Sequence, residues 1–148
     1  MSAESVTVRL AQRHDYQFEV QYGAGVPAVV GDEPPPLGQG AGPSPIQLLA
    51  SAVGNCLSSS LLFALRKFKQ TPEPLSAEVT AEIGRNAENR LRVLALRARL
   101  TVGVPGASLA HLDRVLGQFE QFCTVTQSVA AGIPVTVEVF DSQGAQLK

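Results

Sequence analysis

Apolar and polar positions alternate along the first third of the chain. Val6, Val8 and Leu10 share one face of segment 5–10. Tyr16, Phe18 and Val20 alternate with Gln17, Glu19 and Gln21, and a third short apolar run covers 26–30. Period-two alternation predicts half-buried antiparallel strands. A Pro/Gly-rich connection over 31–44 follows, with Pro34, Pro35 and Pro36 ahead of Gly38, Gly40 and Gly42. Its length marks a functional or irregular loop. No Lys-Ser/Thr follows its glycines, so it is not a phosphate cradle.

The pattern then becomes helical. Ser44, Pro45 and Gln47 make a capping box with proline in the first turn, and the helix is expected to run to about Phe68. Arg66, Lys67 and Lys69 suit the negative end of its dipole. Small residues (Ala50, Ser51, Ala52, Gly54, Ser58) crowd its middle, which predicts close packing against another helix or a partner chain. Residues 46–65 carry no charge and are long enough to span a bilayer. Gln47, Asn55 and several serines make the stretch too polar for lipid, so a helix buried in protein is expected instead.

After a proline-marked turn at 71–75, Ala77, Val79, Ala81 and Ile83 alternate with polar residues. A hairpin turn at 85–89 leads to a strand over 90–102. Its apolar phase switches between Val93 and Leu94, which predicts a bulge there. Ser108 is expected to cap a helix whose Leu109, Leu112, Val115, Leu116, Phe119 and Phe122 fall at helical spacing. Cys123 then opens a short helix over 124–130, and 134–140 forms a last strand. No internal repeat or second domain is read, so the expectation is one α+β domain over 1–148.

The chain has 148 residues, a net charge of −1 and no tryptophan. It lacks the basic block of a nucleic-acid binder and the n-region and apolar run of a secretion signal. With only two cysteines, a reducing, cytoplasmic location is expected. His14 and His111 do not combine with those cysteines in any compact zinc spacing, so no metal is expected. No hydrolase signature accompanies His111, which reads as a polar-face helix residue. Arg90, Arg92, Arg97 and Arg99 read as a solvated strand face.

Chemistry therefore narrows to Cys56 and Cys123. Cys56 lies mid-helix, where residue type alone favours a small buried core residue over a reactive thiol. It is too far from its own helix start to gain from the dipole, so activation would need a cation from elsewhere. Cys123 sits where backbone N–H groups favour a thiolate, or else fills space between two helices.

Gly42-Pro43-Ser44-Pro45-Ile46-Gln47-Leu48-Leu49, followed by Ala52-Val53-Gly54-Asn55-Cys56, resembles the signature of the OsmC/Ohr superfamily, the osmotically inducible and organic-hydroperoxide-resistance proteins. Cys123 to Gly132 with the β-rich tail resembles its second motif, and segment 32–38 is similar to a loop of a less characterised OsmC-like subgroup. The resemblance implies an OsmC-like fold of antiparallel strands around a long buried central helix, in an intertwined homodimer. It implies a cysteine-based peroxidase. Cys56 is the peroxidatic thiol, Cys123 the resolving thiol, and an N-terminal arginine, Arg9 or by preference Arg13, the activator. It implies no cofactor, an organic hydroperoxide substrate and an external, dihydrolipoyl-type thiol reductant, with neither nucleic acid nor membrane as partner. Typical members carry Glu after the proline and Pro after the second cysteine, where this chain has Ile46 and Thr124. Without that Glu to orient the arginine, weaker activity is expected. The alternative is a binding or stress-associated protein that keeps the fold without efficient chemistry.

Overall fold

The computed structural model describes residues 2–148. Met1, which opens the segment read as lacking a secretion signal, lies outside the described residues. Two compact units are present, Met1–Leu48 and Leu49–Lys148.

In the first unit, β1 (Arg9–His14), β2 (Gln17–Gln21) and β3 (Val29–Gly31) form an antiparallel sheet in chain order. The first strand begins later than its alternation predicts. The turn at Asp15, with a positive φ of 49°, pairs His14 with Gln17, and the ladder ends at Arg9 opposite Gln21. Val6 and Val8 have run past the end of β2 and gain no partner there. The expected apolar face of β2 also breaks up: Val20 and Gln17 are buried while Phe18 and Tyr16 are exposed. The Pro/Gly loop is tied to a carboxylate. Asp32 is buried, and its Oδ2 accepts backbone N–H groups from Gln39 at 3.2 Å and Ala41 at 3.1 Å. Its own N–H donates to Pro43 O at 3.1 Å. These donors, Ala41 first, hold the Asp32 carboxyl below its ordinary range.

Helix α1 (Pro45–Lys67) starts where expected. Ser44 N–H donates to Gln47 Oε1 at 2.9 Å, and Gln47 N–H donates to Ser44 Oγ at 3.2 Å, completing the capping box. By length and composition α1 could cross a bilayer. In the second unit it buries Val53, Gly54, Leu57, Leu61 and Leu65, one stripe at helical spacing, into an apolar core with Leu96, Ala98, Leu100 and Val139 of the sheet. Gly54 meets Val79 of a strand, so the tight packing at the small residues is against a sheet rather than another helix.

That sheet has the order β4 (Ser76–Arg85), β5 (Leu91–Thr101), β6 (Val135–Phe140). In the β4–β5 hairpin Glu82 pairs with Ala95 and Ile83 with Val93, leaving Leu94 as the extra residue, which is the bulge that the phase switch predicts. β6 joins β5 in parallel, because the intervening helices form a crossover long enough to return the chain to the same end. Within that crossover the expected helix from Ser108 is broken up. Ser108 Oγ donates to Pro105 O instead of capping, in a 3₁₀ turn over Gly106–Ser108. Leu109 is extended, and His111 takes a positive φ of 59° before α2 (Leu112–Gln118) begins. Its ring stacks on Phe68, with centroids 4.8 Å apart. A second 3₁₀ turn over Phe119–Phe122 leads to α3 (Thr124–Ala130). Leu109, Val115, Leu116 and Phe119 are buried as expected; Phe122 is exposed.

Candidate functional site

Both cysteines belong to the second unit, and both are free thiols. Cys56 is fixed by α1, between the buried Val53 and Leu57, and is itself half-buried. Cys123 is completely buried at the residue that caps α3, because Phe119, Val125 and Val129 pack around the same core. The fold brings Cys123 close enough to act on the Cys56 thiol, although one lies within α1 and the other caps α3, far apart in sequence.

Two further groups complete the site. The backbone N–H groups of Val125 and Thr126, in the first turn of α3, lie near enough to the Cys56 sulfur to favour its charged form. Cys123 Sγ donates to Thr126 Oγ1 at 3.0 Å, inside the core. The helix start that the sequence assigns to Cys123 therefore serves Cys56. The first N–H groups of a helix have no partner within it, and here they act on the thiol of another helix. The short helix and Thr126 were both visible in the sequence, but which sulfur they face was not.

The electrostatics of Cys56 are mixed. Burial pushes its pKa up most strongly, and the hydrogen bond and charge of Cys123 push the same way; the N–H groups of Val125 and Thr126 pull it down. The upward causes prevail, so the resting thiol is protonated near neutral pH. This pair can form a disulfide after one sulfur is oxidised, since both thiols pack in the same core and neighbour each other.

Arg13, the third residue expected from the resemblance, lies in the first unit on β1. Its Nη2 donates to Glu19 Oε2 at 2.7 Å across the β1–β2 hairpin, and Gln21 Nε2 donates to Glu19 Oε1 at 3.1 Å. These partners, Gln21 first, hold the Glu19 carboxyl below its ordinary range. Arg13 is thus paired with Glu19 within the β1–β2 hairpin. Ile46 itself is only half-buried at the start of α1.

The comparisons agree with this architecture. An OsmC-like protein family model matches residues 38–138. No curated protein matches the chain. Among solved structures, an osmotic stress induced and detoxification response protein from Psychrobacter arcticus superposes with a TM-score of 0.75 at 18% identity, covering 93% of this chain and 98% of its own. An organic hydroperoxide resistance protein from Elizabethkingia anophelis gives 0.73 at 16% identity, covering 93% and 96%. The organic hydroperoxide resistance protein OhrB of Bacillus subtilis gives 0.67 at 13% identity, covering 90% and 97%. At these identities the likeness is one of fold, and it confirms the α+β class and the OsmC-like architecture. Since the family model also spans more than half of the residues, including both cysteines, the chain belongs to the OsmC-like protein family.

Proposed function

We propose that this protein is a thiol peroxidase that reduces organic hydroperoxides in oxidative-stress defence. The observation that carries the reading is the nearness of Cys123 to Cys56 at the first turn of α3. The family, and neighbours described as organic hydroperoxide resistance proteins, support it.

In the proposed cycle the Cys56 thiolate attacks the distal peroxide oxygen. An S–O bond forms, the O–O bond breaks, and the departing alkoxide takes a proton to leave as the alcohol. Cys56 is now a sulfenic acid. Cys123 loses its proton and attacks that sulfur; the S–S bond forms and the oxygen leaves as water. An external dithiol, of dihydrolipoyl type, restores both thiols by two exchange steps and leaves as its disulfide. Val125 and Thr126 N–H groups stabilise the sulfur that carries charge in the first step. Arg13, held by Glu19, is the proposed activating cation. The cycle requires no resident metal or flavin, and the working form is proposed to be a cytoplasmic homodimer.

The raised Cys56 pKa favours a second reading, a binding or stress-associated protein with weak chemistry. Mass spectrometry after stoichiometric cumene hydroperoxide decides between them. The peroxidase reading expects a Cys56–Cys123 disulfide in the wild type and over-oxidised Cys56 in Cys123→Ser. Thiols that survive a large peroxide excess would leave the second reading.

A further inference from the structure

We infer that Thr126 is a positioning residue for the resolving step, holding Cys123 aimed at Cys56. The inference rests on the proposed pairing of Cys56 as the attacked sulfur and Cys123 as its resolving thiol.

Three observations converge. Thr126 bears on both thiols: its hydroxyl accepts from Cys123 Sγ at 3.0 Å, and its backbone N–H favours the charged form of Cys56. It is almost wholly buried, at 3% exposure, so water does not compete for either contact. It also sits in the first turn of α3, where its N–H has no acceptor within its own helix. A threonine hydroxyl both accepts and donates. It accepts the S–H of the resting thiol, and it can turn to donate to the sulfur once the proton has gone. A hydrogen bond to the charged form is stronger than one to the neutral form. The β-branched side chain is stiff about χ1, so the oxygen is held in place instead of searching for the sulfur.

The hydroxyl therefore acts on the step in which Cys123 is the nucleophile, while the backbone N–H acts on Cys56. Thr126→Val keeps the shape and the N–H but removes the oxygen. Thr126→Ser restores the oxygen without the methyl group.

The test uses dithiobis(nitrobenzoate) on the reduced full-length protein, followed by stopped-flow absorbance. The accessible Cys56 attacks first: a mixed disulfide forms and one nitrothiobenzoate leaves. Cys123 then attacks the Cys56 sulfur, the internal disulfide forms, and the second nitrothiobenzoate leaves. Cys123→Ser should show the first release alone, which assigns the phases. In Thr126→Val the first phase should stay within about twofold and the second should slow about tenfold or more, the scale of one lost hydrogen bond to a charged group. Thr126→Ser should recover most of the second phase. A second phase at the wild-type rate in Thr126→Val would overturn the inference. So would both phases slowing together without rescue by serine, which would mean a packing role. Because the reagent replaces peroxide as oxidant, a protein that ignores peroxide yet shows this split would lose the peroxidase reading and keep the role of Thr126.

Discussion

A methyl group on the α-carbon of Gly54 would stand 2.8 Å from Val79 Cγ2, so the glycine sets how closely α1 lies on β4. Cys56 is two residues along the same helix, and its depth depends on that seating. Glycine inside a helix normally costs about 1 kcal/mol relative to alanine. Here alanine would have to displace a stiff β-branched side chain. Gly54→Ala is expected to destabilise by about 1–2 kcal/mol net, as overpacking outweighs the gain in propensity. Val79→Ala in the same chain should recover part of the loss, read from urea midpoints of the single and double variants. A more stable Gly54→Ala protein would show that the strand gives way.

The upward shift of the Cys56 pKa predicts a pH profile. Alkylation by iodoacetamide should be slow at neutral pH and still rising through the alkaline range, because the thiolate is the reacting form. Cys123→Ala removes a neighbouring hydrogen bond and charge that both raise the value, so its profile should move to lower pH. An unchanged midpoint in that variant would show that Cys123 has no electrostatic influence on Cys56.

Arg13 and Glu19 form a half-exposed pair at 2.7 Å. Exposed pairs contribute little to stability, so Arg13→Ala should leave the melting transition nearly unchanged. If Arg13 is the activating cation, the same substitution should lower the second-order rate with cumene hydroperoxide about tenfold or more. Glu19→Gln should give a smaller fall by loosening the arginine's pose. Peroxide rates unaffected by Arg13→Ala would remove Arg13 from the mechanism.

Asp141 is buried and accepts backbone N–H groups from Gly106, Gln143 and Ala145, each at 2.9 Å. These donors, Gly106 first, hold its pKa below the ordinary carboxylate range. A value lower in the folded than in the unfolded state gives stability that is complete above about pH 4 and lost as the pH falls through the folded value. Asp141→Asn should be less stable at pH 7 and should lose less on acidification than the wild type, by urea midpoints at pH 7 and pH 3. Asp32 titrates with the same sign, so some acid sensitivity should persist. Parallel midpoint curves for the two proteins would exclude Asp141 as a source of the acid loss.

Much of the architecture was determined locally and could be read in the sequence. The Ser44–Gln47 capping box fixes the start of α1 because its donors and acceptors lie within one turn. The bulge at Leu94 follows from a change of apolar phase along a single strand. Other features depended on what lies opposite. The first strand starts at Arg9 and not before Val6 because β2 ends at Gln21, and alternation alone does not show where a partner strand runs out. Leu109 and Phe122 share the periodicity of one helix, yet the backbone at His111 turns left-handed and divides it.

The two cysteines divide in the same way. Their positions, one mid-helix and one opening a short helix, were legible from spacing and capping signals alone. What the sequence by itself could not decide was which sulfur receives the first-turn N–H groups of α3. A helix start acts on the group that packing brings nearest, and the buried stripe of α1 sets Cys56 near that turn. The tertiary structure gave the helix start to Cys56, and the Thr126 hydroxyl to Cys123.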